Sequence, residues 1–195
     1  MSVISLKYKT KSGNLTAPGD VDPGAMIPIA TTTLSTSTAS ISFSAIPQNY
    51  EHLQIRFIAR GTLADSNADI YCYLNSDTNQ ANYARHNLRG NGTAASAGGS
   101  AASAIPIAGY ISGSLSTASV YGAGVIDILD YANTNKYKTV RSLAGYDQNG
   151  QGSIYLFSNL YMQTTAISSI NFVVQSNNFE QYSSFALYGI KRAGA

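Results

Sequence analysis

The chain has 195 residues, of which 11% are charged, and a formal net charge of +2. An ordinary soluble domain is roughly 25% charged, so the polar surface here comes from elsewhere: 63 Ser, Thr, Asn and Gln. This arithmetic excludes a binder that grips nucleic acid through many phosphates, a disulfide framework or zinc site around the lone Cys72, and, with 14 Tyr and 6 Phe, a disordered chain. No apolar stretch approaches the roughly 18 residues of a membrane span. MSVISLKYKTK has no apolar run ahead of its lysines and does not read as a signal peptide. Neither nucleic acid nor membrane is therefore expected as a partner. A chain of this length can bury on the order of 70% of its unfolded surface, enough for one main domain.

Residues 1–27 read as an extended arm. Pro18-Gly19 and Pro23-Gly24 interrupt any regular structure. Lys7, Lys9 and Lys11 alternate with Tyr8 and Thr10, so in an extended chain the three lysines share a face. Such a face is either solvated or clasps a neighbouring subunit. On the second reading Lys7, Tyr8, Lys9, Lys11, Pro18 and Pro23 are the candidate partner-binding residues.

Residues 28–195 read as β nearly throughout. IPIATTTLSTSTASISFSAI is rich in Ile, Thr and Ser. EHLQIRFIAR places Leu53, Ile55, Phe57 and Ala59 on one face, with His52, Gln54, Arg56 and Arg60 mostly on the other. That is the pattern of an antiparallel strand with one wet face. IYCYLN (70–75) and ANYARHNLRG (81–90) are further strands, followed by a small-residue stretch over 90–104 expected to be a flexible loop. IPIAGYIS (105–112) and SVYGAGVIDILDYAN (119–133) come next, with Gly122 and Gly124 marking a bulge or a close backbone approach. KYKTVRSLAGYD (136–147) and GSIYLFSNLYMQ (152–163) flank Asn149-Gly150, a strong hairpin signal. ISSINFVVQS (167–176) and SSFALYGIK (183–191) complete the set. The best helical candidate is one short turn near 130–134. About ten strands at this spacing predict an all-β, two-sheet β-sandwich of jelly-roll type, with four or five strands to a sheet; an up-and-down barrel ranks second.

Motifs of catalysis are missing. The glycine pairs at 90/92 and 122/124 lack the strand-to-helix setting of a nucleotide loop. No G-x-S-x-G accompanies the many serines, and nothing in the sequence brings His52 and His86 together. Glu51, Glu180, Asp127 and Asp130 offer no carboxylate pair forced into glycosidase geometry. Asp65-x-Asn67-x-Asp69 and Asn75-x-Asp77-x-Asn79 start like calcium loops. The first has Ile70 where glycine is needed and Ser76 in place of the terminal glutamate, so self-bonded turns are expected. No catalytic residue, metal or cofactor is predicted. A surface of hydroxyls, amides and tyrosines with little charge is poorly guarded against association, and tyrosine is an interface residue. A homo-oligomer, trimer or dimer, is expected.

Three segments carry a family resemblance: MIPIATTTLSTSTASISFSAIPQNYEHLQIRFIAR (26–60), GVIDILDYANTNKYKTVRSLAGYD (124–147) and QYSSFALYGIK (181–191). They resemble a group of tailed-bacteriophage virion proteins, whose members often carry an SSIPxxYxHLxLR segment near the start and FALYGI at the end. LKYKTKSGNLTAPGDVDPGAM (6–26) is similar to N-terminal segments of that group. The resemblance covers most of the chain and is weakest across 91–120. It implies a non-enzymatic structural protein at the virion surface, with the major capsid protein or tail proteins as partners. It implies no active-site residues. The short chain has no heptads or repeats for a shaft, which favours a capsid decoration or cement protein over the alternative, a tail-fibre or baseplate component in host attachment with glycan binding as one route.

Overall fold

Side-chain alternation sets the strands. The computed structural model describes residues 25–101 and 104–192. In β3 (His52–Ala59), Leu53, Ile55, Phe57 and Ala59 are buried and the intervening residues face outward, as the sequence predicts. The same two-residue period buries Ala68, Ile70, Cys72 and Leu74 of β4 (Asn67–Leu74). The thiol of Cys72 is pushed up to about 12 by burial, which leaves it an inert core group.

The remaining strands are β1 (Met26–Thr33), β2 (Ser40–Phe43), β5 (Tyr83–Gly90), β6 (Ala95–Ser100), β7 (Ile107–Ser112), β8 (Gly122–Leu129), β9 (Lys138–Asp147), β10 (Gly152–Tyr161), β11 (Ile170–Val174) and β12 (Ser184–Ile190). They form two antiparallel sheets, one of eight strands in the order β1-β12-β3-β8-β9-β10-β5-β6 and one of four in the order β2-β11-β4-β7. The pairings β1 with β12, β2 with β11, β3 with β8 and β4 with β7 are nested like a long hairpin rolled on itself. This is the jelly-roll arrangement. Two additions extend the larger sheet: the hairpin β5–β6 between β4 and β7, and β9–β10 between β8 and β11. The main core lies between β3, β8 and β12 on one side and β2, β11, β4 and β7 on the other, with Phe172, Phe179 and Phe185 at its centre.

Four differences from the sequence reading have physical causes. The sheets hold eight and four strands, twelve in all among the described residues, because both additions join one sheet. Strand β1 begins at Met26, inside the segment read as arm, because Lys191 N–H donates to the Ala25 carbonyl beside the β1–β12 ladder. Part of the expected loop over 90–104 is strand β6, paired to β5 from Gly90↔Ala95 to Arg85↔Ser100. Backbone pairing needs no side chains, and the small residues of β6 leave room for His86 and Asn87 of β5. Arg60, read as a wet-face residue, is only 5% exposed. Its guanidinium donates to the carbonyls of Ser114, Ser116, Thr117 and Val120 and pairs with Glu180 at 2.7 Å, pinning the β7–β8 connection. Two expectations hold closely. A Cβ at Gly124 would stand 2.5 Å from the Phe57 ring, the close approach foreseen there. Asn149 and Gly150 turn the β9–β10 hairpin with φ of 59° and 105°, the positive pair of a type I′ turn.

Replacing Gly150 with Val should cost about 1–2 kcal/mol in chemical denaturation, since a β-branched residue resists positive φ. Arg60→Met, which strands one buried and three partly buried carbonyls and leaves Glu180 unpaired, should cost roughly 3 kcal/mol and raise hydrogen exchange across 113–121.

Candidate docking face and aromatic cleft

The outer face of the larger sheet is apolar where β8, β9, β10 and β5 meet. Cross-strand register puts Leu88 opposite Leu156, Leu156 opposite Leu143, and Leu143 opposite Val125. In the adjacent row Ile154 stands between Gly90 and Gly145, followed by Ala123 and Ile58. Leu88, Leu143, Leu156, Ile154 and Ile58 are each at least 50% exposed. Single exposed aliphatics are ordinary, but a contiguous set rimmed by polar groups marks an interaction surface. The rim is the next row, His86, Ser158, Arg141, Asp127 and Gln54, where the Gln54 amide donates to Asp127 at 2.9 Å. Beside the leucine ridge the small residues Gly145 and Ala123 floor a groove of about 900 Å³, walled by Ile154, Tyr121, Arg56 and the 147–151 hairpin.

The inner face of the same strands has a different character. Four strands cannot cover eight, so β10 and β5 overhang the edge strand β7 and face the outer side of β4. At the join, the Tyr110 ring stacks on Tyr155 with centroids 4.2 Å apart, and Ile107 and Phe157 complete a small second core. The cleft beneath this wing contains Asp69, Tyr71 and Tyr73 of β4, all half-buried, with Arg85 and Arg89 on β5. Tyr71 and Tyr73 pack edge to face at 6.3 Å. Arg89 lies over the Tyr155 ring and donates to the Ser153 hydroxyl. Arg85 donates through one nitrogen to the Ile105 carbonyl at 3.3 Å. Among the described residues the Asp69 carboxylate has no hydrogen-bond partner. Burial pushes its pKa up to about 6, with Arg85 pulling part of the way back.

Glu51, His52 and Asp130 form a cluster whose ligand-type atoms lie within 4.8 Å of one another. Its chemistry is that of a closed ion-pair network. His52 Nδ1 accepts the Asp130 backbone N–H at 3.0 Å, Lys136 pairs with Asp130, and Arg192 sits 3.7 Å from Glu51. These bonds use the nitrogen lone pair and neutralise both carboxylates, so the donor set does not suit a cation.

Lys7, Tyr8, Lys9, Lys11, Pro18 and Pro23 lie outside the described residues, so the arm expectation stays an expectation. His52 and His86 sit on strands four positions apart in the sheet, roughly 19 Å at the usual strand spacing. Asp65 and Asp77 accept backbone N–H groups of Ser66 and Asn79, as expected of turns, but Asn67 and Asp69 of the first expected turn belong to β4, where they pair with Ser112 and Tyr110 of β7. Sequence reasoning missed the leucine ridge. The available signal was the unbroken apolar run Ile154–Tyr155–Leu156–Phe157, since an antiparallel strand apolar on both faces needs a cover on both.

Comparison with protein-family models, with curated proteins and with solved structures finds no match. The functional argument therefore rests on the residues and surfaces above.

An acid whose pKa is raised by folding destabilises the folded state when ionised. Its penalty is absent below the unfolded value near 4 and grows as pH rises through about 6. Asp69→Asn should accordingly be more stable than the parent at pH 7, by about 1–2 kcal/mol after discounting its partial exposure. Urea melts at pH 4 and pH 7 measure this, and the difference should vanish at the lower pH.

Proposed function

We propose that the protein is a structural subunit of a tailed-bacteriophage virion, seated on the head surface as a decoration or cement protein. The observation that carries this reading is the apolar ridge on β8, β9, β10 and β5, a surface fitted to another protein. The resemblance of residues 26–60, 124–147 and 181–191 to phage virion proteins supplies the setting. The jelly-roll core gives a rigid platform, and the low surface charge leaves its contact faces free of repulsion. A subunit that binds the assembled shell in preference to its free parts stabilises the shell by mass action. The ridge takes the capsid partner or a second copy, and the segment ahead of Met26 supplies a further point of attachment.

The test is a Leu143→Asn, Leu156→Asn double variant examined on purified particles. Both side chains are half exposed, so the variant should fold with a stability within about 0.5 kcal/mol per site of the parent. Its copy number per particle should fall about tenfold or more, the effect of losing two apolar contacts. Cryo-electron microscopy of parent particles should place the density at symmetric positions on the head. Density confined to the tail would replace the head reading with a tail component, and unchanged incorporation of the double variant would remove the ridge from the contact.

A further inference from the structure

We propose that the cleft under the wing is a saccharide-binding site, with Asp69 as hydroxyl acceptor, Arg85 as donor, and Tyr71 and Tyr73 as the surface against which a sugar ring packs. This inference is independent of the docking ridge, which lies on the opposite face of the same strands.

The cleft holds polar capacity that the fold does not use. A half-buried carboxylate without a hydrogen-bond partner is costly unless something completes it, and Asp69 is in that position between Tyr71 on its own strand and Tyr110, its cross-strand partner on β7. The hydroxyls of Tyr71, Tyr73 and Tyr110 likewise make no hydrogen bond among the described residues. Arg85 commits one nitrogen to Ile105, and a guanidinium carries five donors in a fixed fork. Asp69, Tyr71 and Tyr73 share one face of β4, and the Arg85 charge acts on Asp69, Tyr71 and Tyr110 alike, so the acceptor and the donors are neighbours that a ligand offering both kinds of group would complete.

Charge narrows the ligand class. The Asp69 carboxylate disfavours anions, and Arg85 and Arg89 disfavour cations. A neutral polyol satisfies both, because each hydroxyl donates and accepts. The tyrosines add the apolar half of the recognition: aromatic rings offer flat surface to the C–H face of a pyranose while their tips stay wet. Beyond Tyr73 the outer side of the smaller sheet continues with Asn171 and Ser42, which bond each other at 2.6 Å. Hydroxyl- and amide-bearing groups thus extend past the aromatic pair.

The experiment is saturation-transfer NMR and calorimetry on the full chain at pH 7, with a panel of methyl glycosides of glucose, galactose, mannose, N-acetylglucosamine and rhamnose. At least one should bind, with transfer strongest at ring C–H protons. Asp69→Asn should weaken that binding about tenfold or more, the loss expected for a hydrogen bond to a charged acceptor. Binding by the parent should also weaken as pH falls from 7 to 5, and the Asp69→Asn variant should lack this dependence. The groups facing Asp69 are Arg85, Tyr71, Tyr110 and Tyr155, and burial pushes the three tyrosines further above their usual range. Tyr71→Ala is a second variant that should lose binding; because its ring also packs against Ile107, Tyr155 and Phe157, a urea melt checks that it is folded, and Asp69→Asn carries the test if it is not. No transfer to any glycoside overturns the proposal, as does binding that both variants leave unchanged.

Discussion

Eight strands face four, and most of what distinguishes this jelly roll follows from that mismatch. A sheet face needs cover for its apolar residues, and the smaller sheet reaches only as far as β7. Under β9 the fit is close, because Gly109 of β7 lies against Ala144 with no room for another carbon. Beyond β9 the sheet runs past its cover. The inner residues of β10 then find partners on the far side of β7, where Tyr110 caps Tyr155 and Phe157. The aromatic cleft is a consequence of this overhang: without β5 and β10, Asp69 and Tyr71 would stand on an ordinary wet sheet face.

The few charges are used for a second purpose. Arg60 gathers the carbonyls of the β7–β8 connection, and Lys138, fully buried, donates to the carbonyls of Asn133, Lys136 and Thr164. Burial and nearby Lys136 lower the Lys138 pKa, so these bonds are made against a desolvation cost. Asp77 accepts from Asn79, Asn82 and Tyr161 and ties the turn before β5 to the end of β10. In each case a charged side chain completes irregular backbone at a crossing between strands. A buried loop carries polar groups that must be satisfied, and one long cation satisfies several at once. With Arg60, Lys138 and Asp77 committed to connections, the outer face of the larger sheet keeps an aliphatic ridge with charge only at its margin, at Arg56, Arg141 and Asp127.

Much of the fold was legible in the sequence because its signals are local. Alternation in β3 fixed both faces, and Asn149-Gly150 fixed a hairpin, since each depends only on side-chain period or turn sterics. Strand β6 was illegible for the opposite reason. Its Ala, Gly and Ser carry no periodic signal, and its pairing is held by backbone bonds to β5. Arg60 misled because it follows the last residue of β3, where the chain leaves the sheet and strict alternation no longer applies. The cleft was the least legible feature: Asp69, Tyr71 and Arg85 sit on three different readings of local sequence, a turn, a strand and another strand. Only the overhang brings them together.

The ridge and the cleft occupy opposite faces of one layer, and energetics decide what the ridge can do alone. Covering five aliphatic side chains that are each about half exposed gains on the order of 4 to 7 kcal/mol, taking roughly 1.5–3 kcal/mol for a full burial. Association costs about 4–15 kcal/mol in lost rigid-body freedom. The ridge by itself therefore gives weak one-to-one binding. A contact of this strength becomes firm when a second attachment raises the effective concentration, or when an ordered shell presents many matching sites. Its weakness also protects the free subunit, which can stay dispersed until a surface offers more than one hold. Seated by the outer face of the wing, the subunit would leave the cleft side of β4 turned away from its partner and open to solvent.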